Sequence, residues 1–373
     1  MKIYLSAGDP SGDMHCAPLI KALKKQFPQA TFSGLGGPAM EREGLTSFFE
    51  FEKFNRMGYL EVLKELPFFL RAIREFEQIL KENLPDILIC VDSSGFNRPV
   101  MAAARKLEIP VFWYIAPMIW AWKKRKHGPF LGRYATHIGT ILPFEKEHWL
   151  PFTQEVSYVG NPLLEDHNYG AIQRGTLDKT APFTLAIIPG SRRNEIIRIL
   201  PDMIIVAKEI VKRYPLCSVV YSQAESVDSS LFDGLPSFVT RFKGGFDSLL
   251  KEADIALVTS GTATLQAALS KLPHVIVYKT SWLNALISRY LLRGMSWIGL
   301  PNLVAHKEII PEFVQVYEVA EIEETLVSLI EDGTKYATMV HELSQLQEQF
   351  GDEAPSVRIT QEICTLLGTT YES

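Results

Sequence analysis

Short apolar runs alternate with longer amphipathic stretches along the whole chain. The runs at 2–7, 31–35, 86–91, 110–116, 135–141 and 155–159 read as strands. Between them, apolar residues recur at three- and four-residue spacing over 14–26, 58–65, 68–83, 97–107, 123–132 and 143–150, which predicts helices. The second half repeats the scheme, with strands at 183–188, 217–222, 237–241, 254–258 and 274–278. Its helices are expected at 194–213, 228–233, 246–252, 261–271 and 282–292, and the chain closes on helical patterns at 318–331, 333–349 and 355–367.

Strands alternating with helices predict an α/β protein with parallel sheets covered on both faces. Right-handed crossovers put every strand C-terminus on one edge of its sheet, where ligands bind. The stretch 161–182 breaks the pattern; it is polar, contains Gly and Pro, and reads as a linker. Two doubly wound, Rossmann-like domains facing a central cleft are therefore expected, at 1–165 and 166–344. The C-terminal helices, 345–373, are expected to cross back to the first domain.

Composition narrows the class. The 373 residues are 47% hydrophobic and 22% charged, as in ordinary globular proteins. The net charge is -5 and the 38 basic residues are dispersed, which argues against a nucleic-acid surface. Cys16, Cys90, Cys217 and Cys364 form no CxxC pair and read as reduced, buried thiols. The N-terminus reads as a strand and turn rather than a secretory signal, and no window supplies about 18 uninterrupted apolar residues. A cytoplasmic protein that could touch a membrane from one side is expected.

The strand-to-helix turns carry the candidate chemistry. Ser6-Ala7-Gly8-Asp9-Pro10-Ser11-Gly12-Asp13 lacks the GxGxxG spacing; Gly8 and Gly12 permit tight turns and Asp13 could cap the helix. Asp92 ends the third strand, in Asp92-Ser93-Ser94-Gly95-Phe96-Asn97, where a carboxylate could take a proton from a substrate hydroxyl. Trp120 and Trp122, beside Lys123, Lys124 and Arg125, could stack on a sugar and meet a phosphate, or pack between domains.

In the second half, Gly190-Ser191-Arg192-Arg193 precedes a helix near Asn194. Backbone amides and an arginine fork there make an anion site, with Glu195 as a pairing partner. Ser260-Gly261-Thr262 opens another helix, and Gln266 stands one turn further on, within reach of a ribose hydroxyl. Two such turns in one domain point to a nucleotide-sugar diphosphate. No DxD triplet or His/Cys cluster suggests a metal. Phe68 and Phe69, beside Arg71 and Arg74, suit either membrane contact or helix packing.

Ten segments taken together resemble the lipid-A-disaccharide synthases, glycosyltransferases of the GT-B fold. They are AGDPSGD at 7–13, GGPAM at 36–40, MGYLEVL at 57–63, DSSGFN at 92–97, WAW at 120–122, LPFEK at 142–146, VGNPL at 159–163, PGSRRNEI at 189–196, SGTATLQ at 260–266 and LPNLVA at 300–305. The resemblance implies condensation of UDP-2,3-diacylglucosamine with 2,3-diacylglucosamine 1-phosphate to a β-1,6-linked disaccharide 1-phosphate, releasing UDP. It implies an inverting, metal-independent enzyme of lipid A biosynthesis with no cofactor, associated peripherally with the inner-membrane surface.

By resemblance, Asp92 is the general base, Arg192 meets the donor diphosphate, Ser260, Gly261 and Thr262 meet the nucleotide, and Asn302 lines the cleft. The sequence departs from the family pattern at Asp9, where Glu is usual, at Ser94 and Gly95, where Pro and Asp are usual, and at Gln266, where Glu is usual. A UDP-N-acetylglucosamine 2-epimerase-like activity and a non-catalytic nucleotide-sugar or lipid-binding paralogue are the alternatives. The helical C-terminus could exchange between subunits of a homodimer.

Overall fold

Among the described residues of the computed structural model, every strand pairing is parallel. The structure describes residues 1–55, 62–121, 124–165, 169, 172–280 and 296–372. The chain divides into one unit of Met1–His167 with Glu353–Ser373, and a second of Asn168–Asp352. The segment joined to the first unit thus begins at Glu353 rather than at 345.

The first unit holds β1 (Lys2–Ala7), α1 (Pro10–Gln26), β2 (Thr31–Leu35), α2 (Pro38–Arg42), β3 (Leu45–Ser47), α3 (Phe51–Asn55), α4 (Val62–Asn83), β4 (Ile87–Val91) and α5 (Ser94–Lys106). It continues through β5 (Val111–Tyr114), α6 (Lys124–Tyr134), β6 (His137–Thr140), α7 (Glu145–Trp149) and β7 (Val156–Tyr158), in the sheet order β3-β2-β1-β4-β5-β6-β7. Alternation along each strand feeds two cores. Ile3, Leu5 and Ala7 of β1 face Leu19, Ile20 and Leu23 of α1, while Tyr4 faces the other side with Phe76, Leu80 and Phe96. Helix Pro355–Leu366 adds Ile359 and Ile363 to the first of these cores. Each such side chain contributes about 1.5–3 kcal/mol by burial.

The second unit holds β8 (Phe183–Ile188), α8 (Arg193–Arg213), β9 (Cys217–Tyr221), β10 (Val239–Arg241), α9 (Phe246–Glu252), β11 (Ile255–Thr259), α10 (Thr262–Leu269), β12 (His274–Tyr278) and β13 (Glu312–Val314). Its sheet order is β10-β9-β8-β11-β12-β13. Arg174, in the segment read as a linker, packs into this unit and donates to the carbonyls of Leu250, Ala253 and Ser270. It thereby meets carbonyls at the C-terminal ends of α9 and α10.

Several elements differ from expectation. The segment 228–233 is a 3-10 turn, Ser229–Phe232. Part of the expected helix 58–65, all of 282–292, and Trp122 with Lys123 lie outside the described residues. From Val62 the chain runs as one helix through Pro67, which forfeits a single backbone hydrogen bond near the helix start. The thiols of Cys16, Cys90, Cys217 and Cys364 are buried and unbridged.

Candidate active site

In each sheet the strand order reverses at one point, and the candidate residues gather there. In the first unit, β1 lies between β2 and β4, with Ala7 beside Val91. The turn after β1 and the turn after β4 are therefore neighbours at the sheet's C-terminal edge.

Asp9 caps α1, its Oδ1 accepting from the Gly12 amide at 2.9 Å. Asp13, expected in that role, is buried instead. It accepts from the amides of Gly37, Ala39 and Met40 at 2.9–3.0 Å and fixes the start of α2. Its carboxylate is engaged internally rather than offered to a substrate. Ser11 is exposed and lies 3.0 Å from His15 Nε2.

Asp92 and Ser93 both adopt left-handed backbone, with φ of 41° and 37°. Non-glycine residues there store strain, a mark of functional turns. Asn97 sustains this turn. It is fully buried, donates to the carbonyls of Ser6, Val91 and Asp92, and accepts from Ser6 Oγ at 2.6 Å. Asn97 is therefore a brace between the ends of β1 and β4 rather than a group offered to a substrate.

Asp92 itself is exposed at the turn. The packed wall beneath it, and then the Asp9 carboxylate, push its carboxyl up to about 6, against a smaller opposing pull from the Ser93 amide. Water at its exposed face screens this push and leaves its direction standing. Trp120 is half-buried. Its indole donates to the buried Glu145 at 2.8 Å and its ring meets Phe144 edge-on. Phe68 and Phe69 pack partly into the core around Phe54, at 5.2 and 5.8 Å between centroids; the more open apolar residues of α4 are Leu66 and Leu70.

In the second unit, β8 lies between β9 and β11, with Ile188 beside Val258. The turns Gly190–Arg192 and Thr259–Thr262 adjoin and line a cavity of about 730 Å³. Gly190 is required twice over, by a φ of 93° and because a Cβ would stand 2.6 Å from Thr259 Cγ2. Gly261 has a φ of 146°. Helix α8 begins at an Arg192 cap and α10 at a Gly261 cap, and neither cap supplies a side-chain hydrogen bond. Both helix N-termini therefore keep amides free of a capping side chain at the cavity, a natural anion site.

Ser191, Arg192, Glu195, Ser260, Gly261, Thr262 and Gln266 all line this cavity. Glu195 accepts from Arg192 at 3.0 Å and from the Tyr278 hydroxyl at 3.4 Å. Glu195 is 12% exposed and Arg192 78%, so a largely buried carboxylate holds an exposed cation. Asn302 is elsewhere. It is fully buried, accepting from the Ile309 and Ile310 amides and donating to Ile310 and Glu312, and it holds a loop rather than lining a site.

Sequence reasoning passed over Gln223, Arg241, Phe242 and Lys243, which form the cavity's other wall. Their signal was their place at strand ends, Gln223 just after β9 and Arg241, Phe242 and Lys243 at the end of β10, just ahead of Gly244-Gly245.

Residues 3–361 match the family model described as Lipid-A-disaccharide synthetase. The chain is 32% identical over 376 residues to the lipid-A-disaccharide synthase of Myxococcus xanthus, covering 98% of this chain and 97% of that one. It is 34% identical over 372 residues to that of Idiomarina loihiensis, covering 95% and 97%. Among solved structures, a putative UDP-N-acetylglucosamine 2-epimerase from Listeria monocytogenes aligns with a TM-score of 0.66 at 13% identity, over 99% of this chain and 97% of that one. The calicheamicin glycosyltransferase CalG4 aligns at 0.63 and 15% identity, over 98% of each chain. At such identities these two likenesses show a shared GT-B-type fold alone.

Proposed function

This chain belongs to the lipid-A-disaccharide synthetase family, a family of glycosyltransferases, and from that premise we propose how its residues carry the transfer. The donor is UDP-2,3-diacylglucosamine, its UDP held in the second unit's cavity. The acceptor is 2,3-diacylglucosamine 1-phosphate, whose 6-hydroxyl meets Asp92. That oxygen bonds to the donor's anomeric carbon as the bond to UDP breaks. Asp92 takes the hydroxyl proton, and displacement from the opposite face inverts the centre to a β-1,6 linkage.

Charge develops on the departing diphosphate, where Arg192 and the amides at the starts of α8 and α10 stabilise it. Gln266, which lines the same cavity, hydrogen-bonds the ribose. The observation that carries this reading is the meeting of Arg192 with two helix N-termini lacking side-chain caps, on one cavity of nucleotide-sugar size.

Acyl-chain substrates place the work at a membrane surface. Among the described residues no helix is long and apolar enough to cross a membrane. Leu66 and Leu70, with arginines at 71 and 74, supply a surface for peripheral contact with anionic lipid on the cytoplasmic face of the inner membrane. A homodimer formed by exchange of helix Pro355–Leu366 would keep the same buried contacts, and light scattering tests it.

The function is tested by supplying both acylated substrates and following products by mass spectrometry. Disaccharide 1-phosphate and UDP in equal amounts are expected. No disaccharide, with N-acetylmannosamine formed from UDP-N-acetylglucosamine instead, would overturn the assignment.

A further inference from the structure

Ser93 stands at the N-cap of α5, where a serine hydroxyl ordinarily accepts from an amide of the first helical turn. Here it makes no such bond. Its Oγ instead reaches across to the neighbouring turn and donates to Asp9 Oδ2 at 3.0 Å. The other oxygen of Asp9 is fixed by the Gly12 amide, so the carboxylate has one orientation. A local capping preference is thus given up for a link between the two turns that flank Asp92.

We propose that Asp9 and Ser93 form a clasp that positions Asp92, holding its left-handed turn and setting a fixed negative charge beside the base. Neither acts on substrate directly. The inference rests on Asp92 being the general base. Among the described residues, Asp9 is the charged group acting on Asp92, and the other titratable groups on the elements beside it are otherwise engaged. Asp13 on α1 is engaged by three amides. His15 pairs with Ser11, and burial pulls its pKa down. Burial pushes the Cys16, Cys90 and Tyr114 groups up, so they stay neutral. Arg98 on α5 lies over the Phe130 ring at 4.1 Å.

Two variants separate charge from geometry. Asp9→Asn keeps a good cap, and its amide can still bond Ser93 Oγ, so only the charge is lost. Ser93→Gly can adopt the left-handed turn without strain but loses the side chain that ties it to Asp9. The measurement is the pH dependence of kcat/KM, with kcat and the donor KM taken separately. Asp9→Asn is expected to move the acidic limb to lower pH by about half a unit or more. Ser93→Gly is expected to lower kcat by roughly three- to tenfold with the donor KM unchanged.

An Asp9→Asn limb at the wild-type pH, or a Ser93→Gly kcat equal to wild type, overturns the proposal. Asp92→Asn distinguishes the two levels. If it retains the acidic limb, the base assignment fails and the clasp with it. If it abolishes the limb while Asp9→Asn leaves it unmoved, the clasp alone fails.

Discussion

Arg192 is the residue whose setting explains its choice. It is mostly exposed, so its pairing with Glu195 adds at most about 1 kcal/mol to stability. The value of the pair is directional: Glu195, held also by Tyr278, keeps the guanidinium at the cavity. Arg192→Ala should lower kcat by roughly 10²–10³, the range for losing one donor to developing negative charge. Glu195→Gln should cost far less, because the amide can still accept from Arg192. Steady-state kinetics on both variants checks the ordering, and equal losses would contradict it. Burial is what the sequence could not convey at this scale. Asp13, Asn97 and Asn302 are polar residues in or beside glycine- or proline-containing turns, and they look like ligands until their partners are seen to be backbone groups of the protein itself. Gln223 and Lys243 went unnoticed because a lone polar residue after a strand has no pattern of its own.

At the scale of elements, central strands were legible because they are buried on both faces and read as continuous apolar runs. The edge strands β3 and β13 were not, being three residues each with exposed or half-buried positions. The helix starts at 193 and 262 were visible as turn chemistry, though only the structure reveals that both lack side-chain caps. The helix Pro355–Leu366 belongs with the first unit because Ile359 and Ile363 are buried beside α1. Ile363→Ala should therefore destabilise that unit by about 2–5 kcal/mol, seen as a lower urea midpoint with the slope unchanged. A midpoint equal to wild type would show that this helix contributes little.

For the molecule as a whole, the fold class and the family could be read from ordered segments spread along the chain. Which apolar side chains of α4 are open to solvent needed the structure, which turns Phe68 and Phe69 partly toward the core and leaves Leu66 47% and Leu70 45% exposed. Replacing both leucines by Ser should weaken binding to anionic vesicles in a flotation assay, with each side chain contributing on the order of 1 kcal/mol, while folding is kept. Unchanged flotation would remove this surface from the account. The pH dependence of kcat/KM should show an acidic limb, because Asp92 must be deprotonated to accept a proton and its carboxyl is raised to about 6. The most direct test of the central claim is the turnover of Asp92→Asn with both acylated substrates saturating. A fall of about 10²–10⁴ is expected, the range for losing a positioned general base, whereas turnover at the wild-type rate would contradict the assignment of Asp92 as the base.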